Sequence, residues 1–479
     1  MRNRKKIISL GNFLAFLVMI LTSGCASMAQ KKELSAFNNL YSSGLYSEAA
    51  NAEIKEIGGK KSNPSKLLQL LQAAAALRYD KQYSQSSLLF DECEDIIKHH
   101  NEQSMICNAS SNVGAILVND AALDYRGAEY DGVMVNTYKA LNFWQVGKKN
   151  LARIEFNRAL DRQRRAKERF AKEIEKQKRE IEKKQKEKNR KAQAKYKNAP
   201  RIDINKTVNN PEIDKILKEK YSNLYEFKTY PDFINPFTTY IAGLFFMSEG
   251  DYSKAATLLK EAYGMVEKNT TVADDFANAE KMLDGQKNNK NYTWIIFENG
   301  LCPEKEEFRV DLPILLFSNK VKYTGIALPK LKFRDQAYSH LIIENSGHNV
   351  GYTNVLSSMD KVIQTEFKKK YKATVTRAVV STLIKTYGQY LAQRKFGSLG
   401  GIALGLYQLS TTAADVRMWT ALPKEFQVAK IETPKNGILL LEAPDGNKIN
   451  ISVPENRNFL IYVKIPLLRS KIVYDIINM

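Results

Sequence analysis

The feature that most constrains this chain is a short spacing that returns. Gly44-Leu-Tyr46-Ser-Glu-Ala49 and Gly250-Asp-Tyr252-Ser-Lys-Ala255 carry the same three residue types at the same offsets. Gly147 and Ala152 keep the same step, and Ala159 follows Ala152 at the interval that separates Ala262 from Ala255. A weaker copy reads Lys81-Gln-Tyr83-Ser-Gln-Ser86. Each position has a physical reason. Glycine makes a tight turn between helices, tyrosine wedges the pair, and alanine lets two helix backbones approach. Three or more such units bury a shared core, and four are visible. The N-terminal region is therefore all-α.

These offsets resemble the tetratricopeptide repeat, which implies stacked helix pairs that bind a protein partner on a concave face. The third copy does not end as a repeat should. Without Pro or Gly it runs on through Arg162–Lys197, and from Lys148 to Arg201 there are 22 Lys and Arg against 8 Asp and Glu. That segment holds most of the chain's net charge of +21. Phe156, Leu160, Phe170, Ile174 and Ile181 recur at helical steps, too few for a coiled-coil seam. The expectation is a long helix that leaves the core, supported by Glu/Lys pairs and stopped at Pro200. It is either a solvated strut or a cationic surface for peptidoglycan or lipopolysaccharide. The strut is the simpler reading, because charge runs are common.

The first residues decide the compartment. Arg2-Asn-Arg-Lys-Lys6 precedes an apolar run, Ile7–Leu21, which ends at Thr22-Ser-Gly-Cys25. A short apolar run followed by small residues reads as a secretory signal. Cys at the junction makes it similar to the bacterial lipobox, with Thr22 where Leu is commonest. That resemblance implies cleavage after residue 24, acylation (palmitate among the acyl chains) at Cys25 and a lipid anchor. Several acyl chains hold where one does not. Ala26 and Ser27 supply no retention Asp, so the expected location is the outer membrane, periplasmic face. Export excludes nucleic acid as the partner of the basic helix. Cys93 and Cys107 then sit in a disulfide-permissive compartment. A bridge across a helical hairpin and two buried free thiols are both open readings.

After Gln286–Asn291 the texture becomes short β-type runs: Tyr292–Phe297, Glu307–Leu312, Tyr338–Glu344, Phe426–Ile431, Gly437–Ala443, Lys448–Val453 and Phe459–Ile465. Asp445-Gly446 marks a hairpin. The predicted organisation is an α+β multidomain chain. It comprises a signal peptide (1–24), tetratricopeptide-like repeats (25–161), a basic helix and linker (162–210), a further helical repeat region (211–286), and a β-rich domain (292–479) with a helical insertion (356–414).

No residue pattern points to catalysis, a metal or a cofactor. The four His residues lie outside any nucleophile elbow or metal spacing. Glu306 and Glu307 are adjacent, so a strand sends them to opposite faces, while Arg309 and Asp311 share a face and read as an ion pair. Glu298-Asn299-Gly300 and Asp415-Val-Arg417-Met-Trp419 form the densest polar blocks. In the second, Trp419 anchors a helix–strand junction while Asp415 and Arg417 bond backbone. Together with the export signal, the Glu129–Ala159 block and Gly325-Ile-Ala-Leu-Pro329, these blocks resemble a family of Gram-negative outer-membrane lipoproteins of unassigned function. Members' genes tend to neighbour those of lipoprotein activators of peptidoglycan synthases, which implies a cell-envelope role. The expected function is a non-enzymatic, lipid-anchored scaffold binding an envelope protein. The alternatives are a cell-wall tether acting through the basic helix and, last, an envelope hydrolase.

Overall fold

The structure is a computed structural model that describes residues 32–58, 63–106, 123–195, 210–225, 228–230, 233–266, 269–286, 290–315, 321–382 and 413–479. Cys25, Cys107 and the signal segment lie outside them, as do the linker up to residue 209 and the second half of the expected helical insertion.

Four helix pairs form the N-terminal half. They are α1 (32–42) with α2 (Tyr46–Ile57), α3 (Leu67–Tyr79) with α4 (Tyr83–Ile106), α5 (Glu129–Gln145) with α6 (Lys149–Lys195), and α8 (Pro236–Ser248) with α9 (Tyr252–Met265). Short α7 (Pro211–Lys220) precedes the last pair, and α10 (Thr270–Leu283) follows it. One turn joins the helices of all four pairs. The residue at the turn has φ of +77° at Gly44, +62° at Lys81, +75° at Gly147 and +76° at Gly250. Its N–H, and the N–H after it, bond back to carbonyls of the preceding helix. The left-handed residue thereby satisfies carbonyls that the helix end would leave orphaned. The fully buried Ala49, Ser86, Ala152 and Ala255 occupy equivalent places on the second helices, as do Ala159 and Ala262 two turns on. Tyr46 is buried and Tyr252 half-buried. Asp251 and Asn269 cap α9 and α10 by accepting from the N–H of Lys254 and Val272.

The C-terminal half holds a five-stranded sheet and a four-stranded sheet. β1 (Tyr292–Asn299) runs parallel to β10 (Phe459–Ile465) and antiparallel to β7 (Glu425–Glu432). β6 (Asn354–Ser358) and β11 (Val473–Asn478) are the edges of this sheet. β4 (Ile342–Asn345), β5 (His348–Tyr352), β8 (Ile438–Glu442) and β9 (Lys448–Ser452) make the smaller sheet, with Asp445-Gly446 in the turn between β8 and β9. β2 (Glu304–Leu315) and β3 (Val321–Lys332) form a separate two-stranded arm.

The larger sheet is a middle layer. Ile295, Phe297, Ile461 and Val463 face Leu439, Leu441 and Ile451 of the smaller sheet. Their neighbours Trp294, Ile296, Leu460 and Tyr462 join one continuous core with the helices. Burial on both faces is why β1 and β10 read as unbroken apolar runs rather than alternating ones.

Several expected boundaries move. Leu356–Ser358, within the expected helical insertion, belongs to β6, which pairs with β7; the helix, α11, spans 359–382. Tyr338 does not begin a strand, because its N–H is taken by the Asn299 side chain at 3.1 Å. The β2 partner, β3, went unread because Gly325 and Pro329 dilute its signal; a two-stranded arm has open edges that tolerate proline. Arg309 pairs with Glu307 at 3.7 Å rather than with Asp311. No helix among the described residues is long and apolar enough to cross a membrane.

Candidate functional site

The helix pairs share a face, and the C-terminal half covers it. Tyr41 donates to the Ala421 carbonyl at 3.2 Å, and Gln72 to Thr420 Oγ1 at 2.7 Å. Trp419, fully buried, lies 5.9 Å from the Phe90 ring and 6.0 Å from that of Tyr138. Phe237 stacks on Phe426 with centroids 3.5 Å apart. Asp275 accepts from Tyr240 at 2.6 Å and from Trp294 Nε1 at 3.0 Å. The inner surface that a repeat array would offer to another protein is thus filled from within the chain.

At the centre of this junction lies a buried polar cluster. Arg78 of α3 sits between two rings, its guanidinium carbon 4.8 Å from Tyr138 and 4.6 Å from Tyr462. Tyr462 donates to Glu298 Oε1 at 2.5 Å. Lys464, fully buried, donates to Asp475 at 3.0 Å and to the Arg78 carbonyl at 3.3 Å. Tyr83 donates to the other Asp475 oxygen. Burial and then the neighbouring Arg78 charge pull the Lys464 ammonium down to about 8, against the pull of Asp475. Glu298, Tyr462 and Lys464 share the helix-facing side of the sheet because β1 and β10 pair Ile296 with Tyr462 and Glu298 with Lys464.

The two sequence blocks thus sit in that junction as structural parts. Asn299 donates to the Tyr338 carbonyl at 2.6 Å and to Glu425 at 2.8 Å. Gly300 has φ +68°, and a Cβ there would lie 3.2 Å from the Asp335 carbonyl and from Lys424. Asp415 holds the Arg417 guanidinium at 2.8 and 3.0 Å, and Arg417 donates on to the Leu123 carbonyl at 2.7 Å. Cys302 lies against the Trp419 carbonyl at 3.4 Å, its thiol pushed up to about 12 by burial. Cys93 is a buried free thiol.

Sequence reasoning missed Arg78, Tyr462, Lys464 and Asp475. A signal for three of them was present: each is one charge inside an otherwise apolar helix or strand, where an unpaired charge is costly.

A second arrangement roots the basic helix. Lys139 of α5, 1% exposed at its side chain, bonds Asp91 at 2.6 Å, Glu94 at 2.8 Å and Glu155 at 3.1 Å. Arg158 and Arg162 of α6 join the same carboxylates. Ala152, Phe156, Ala159, Leu160, Ala166 and Phe170 are buried. Beyond Phe170, α6 continues to Lys195, about 37 Å at 1.5 Å per residue. At the exit, Phe170 meets Phe233 at 4.9 Å, Lys369 of α11 lies 4.7 Å over Phe233, and Lys370 lies 5.7 Å over Phe170. Lys369 and Lys370 thereby stand at the exit of α6.

No protein-family model and no curated protein matches the chain. Among solved structures it is similar to a tetratricopeptide repeat protein from Parabacteroides merdae ATCC 43184, at 11% identity over 52% of this chain and 98% of that one, with a TM-score of 0.13. A similarity that distant carries no argument, so the repeated turn geometry and the layered core are what define this chain as an α+β protein built on helix pairs.

Proposed function

We propose that this chain is a non-enzymatic scaffold of the bacterial cell envelope, lipid-anchored through Cys25 at the periplasmic face of the outer membrane, and that α6 rather than the inner face of the repeats meets its protein partner. One observation carries the reading. A single helix is fixed in the core by Lys139 and its carboxylates over its first half, and past Phe170 none of its described side chains is buried. A helix rooted that firmly holds whatever binds its far half at a set distance from the body. Photo-crosslinkers placed at Lys172 and Arg179 of the anchored protein should capture an envelope protein. Capture from surface sites on β9 but not from α6 would overturn the reading. The anchor is tested separately: radiolabelled palmitate should enter the protein, and Cys25→Ala should abolish both labelling and membrane association.

A second reading is favoured by the lysines of α11 beside the root of α6. Their convergence makes a denser cationic surface than the helix alone, suited to peptidoglycan or lipopolysaccharide. Removing residues 171–195 should then abolish sedimentation with sacculi at low salt, and unchanged sedimentation would sink the idea.

A further inference from the structure

Beside the Gln72–Thr420 contact of the junction, α1, α2, the 3-10 turn Pro64–Lys66 and α3 line a recess of about 40 Å³ with Tyr125 and Arg417. Leu34 and Leu68 line it beside four residues that carry oxygen acceptors, Glu33, Glu53, Gln69 and Gln72. Gln72, 1% exposed, spends its amide N–H on Thr420 Oγ1. Thr420 in turn donates to Asn38 Oδ1 at 2.6 Å, and its oxygen accepts from Gln72. That leaves Gln72 Oε1 buried without a donor among the described residues. Gln69 repeats the arrangement: Nε2 donates to Glu33 at 2.8 Å, and Oε1 is buried with no donor. Glu53, 4% exposed, also lines the recess.

The positive group on the rim offers the recess little. Arg417 directs its N–H groups to Asp415 and the Leu123 carbonyl, and the Tyr125 hydroxyl donates to Asp131. Two carboxylates and two carboxamide oxygens therefore line a small space, in which Glu33 accepts from Gln69 while the two carboxamide oxygens meet no donor among the described residues. Buried polar groups are ordinarily satisfied, and a donor seated in the recess would satisfy these two oxygens.

We propose that this recess binds a primary ammonium group. Three N–H donors on one positive centre match acceptors of this number and charge. The volume suits such a head on a short alkyl stem and is a few times that of a water-sized probe, roughly 10–15 Å³. A divalent cation such as calcium asks for about six to eight oxygens, and the described residues hold no cluster of three or more His, Cys, Asp or Glu suited to a metal.

Binding carries a proton signature. Burial first, then the charges of Glu33 from α1 and Glu56 from its own helix, push the Glu53 carboxyl up to about 8, with Lys66 opposing from the 3-10 turn. An arriving ammonium must expel that proton. Its affinity therefore rises with pH toward about 8 and levels off above it.

The test is calorimetric titration of the full mature chain with methylammonium, trimethylammonium, sodium and calcium chlorides, at pH 6.5 and 8.5, in two buffers of different ionisation enthalpy. Methylammonium should bind at least tenfold more tightly at pH 8.5, with buffer-dependent heat from proton release at pH 6.5, and trimethylammonium should not bind. Glu53→Gln should weaken binding at least tenfold and remove the buffer dependence without lowering the melting temperature at pH 6.5. Gln72→Leu should weaken binding independently. Tighter binding of calcium or sodium than of methylammonium would overturn the proposal in favour of a metal site. Binding of no probe would overturn it in favour of a recess holding only water.

Discussion

Arg78 and Tyr462, on an N-terminal helix and a C-terminal strand, meet with guanidinium over ring at 4.6 Å, and the Tyr462 hydroxyl passes the contact on to Glu298. This places a cation and a carboxylate, both buried, at the join between the two halves. Removing one charge of such a set leaves the other uncompensated.

Arg78→Met should therefore destabilise the chain by about 3–5 kcal/mol, read as a lowered urea midpoint. Adding Glu298→Gln should recover a large part of that loss. A single substitution costing under about 1 kcal/mol would show that Glu298 does not depend on Arg78.

The glycines divide by mechanism. A Cβ at Gly147 would meet nothing within 4 Å, but φ there is +75°. Gly147→Ala should cost only the left-handed backbone penalty, about 1–2 kcal/mol. Gly243 in α8 has an ordinary helical place, yet a Cβ would lie 2.8 Å from Leu259 Cγ of α9. Gly243→Ala should cost about 1–3 kcal/mol by overpacking. Its cost should shrink in a Leu259→Ala background, whereas that of Gly147→Ala should not. Thermal melts of the two double-mutant cycles separate the cases.

Asp131 supplies a pH dependence. Its Oδ2 accepts from Ala128 N–H at 2.8 Å and from Tyr125 at 2.7 Å. Burial nevertheless raises its carboxyl to about 7. The folded state then holds a proton that the unfolded chain, titrating near 3.9, has released. This group's contribution is full below about pH 4 and is lost as pH rises to about 7, at up to about 1.4 kcal/mol per pH unit. Asp131→Asn keeps an acceptor without the charge. Its melting temperature relative to the parent should climb between pH 4 and 7 and then stay level.

Trp419 carries the packing of the junction. Trp419→Ala should cost about 3–5 kcal/mol. It should also loosen the backbone from Trp419 to Leu422, on which Cys302 rests through its sulfur at the Trp419 carbonyl and its N–H at the Leu422 carbonyl. Native Cys302 should resist an aromatic disulfide reagent, and the substitution should speed its modification well over tenfold. An unchanged labelling rate would show that other contacts close the site.

Particular elements mark what could be read early. The spacing from Gly44 to Ala49 stated where a left-handed turn falls and which helix positions must be small, because both follow from backbone geometry over a few residues. The unbroken run after Lys149 stated a long helix for the same reason. Lys81 shows where reading by residue type thins out: a lysine holds φ +62° at the glycine position, and only the neighbouring Tyr83 and Ser86 marked the turn. The strands β3, β5, β6 and β11 were not read at all. Each is stabilised by a partner strand rather than by its own pattern.

The sequence by itself determined the helix pairs, the charged extension and the β-rich half, since propensity, turn chemistry and periodicity act between near neighbours. Only the tertiary structure decided that the repeats' shared face is covered by the chain's own C-terminal half, so that Tyr41 meets Ala421 and Trp419 packs against Phe90 and Tyr138. It also decided that the lone charges Arg78, Lys464 and Asp475 gather at one place. Long-range partners leave no local trace. What selects them is the need to bury apolar surface and pair every buried charge at once, and that is a property of the whole fold.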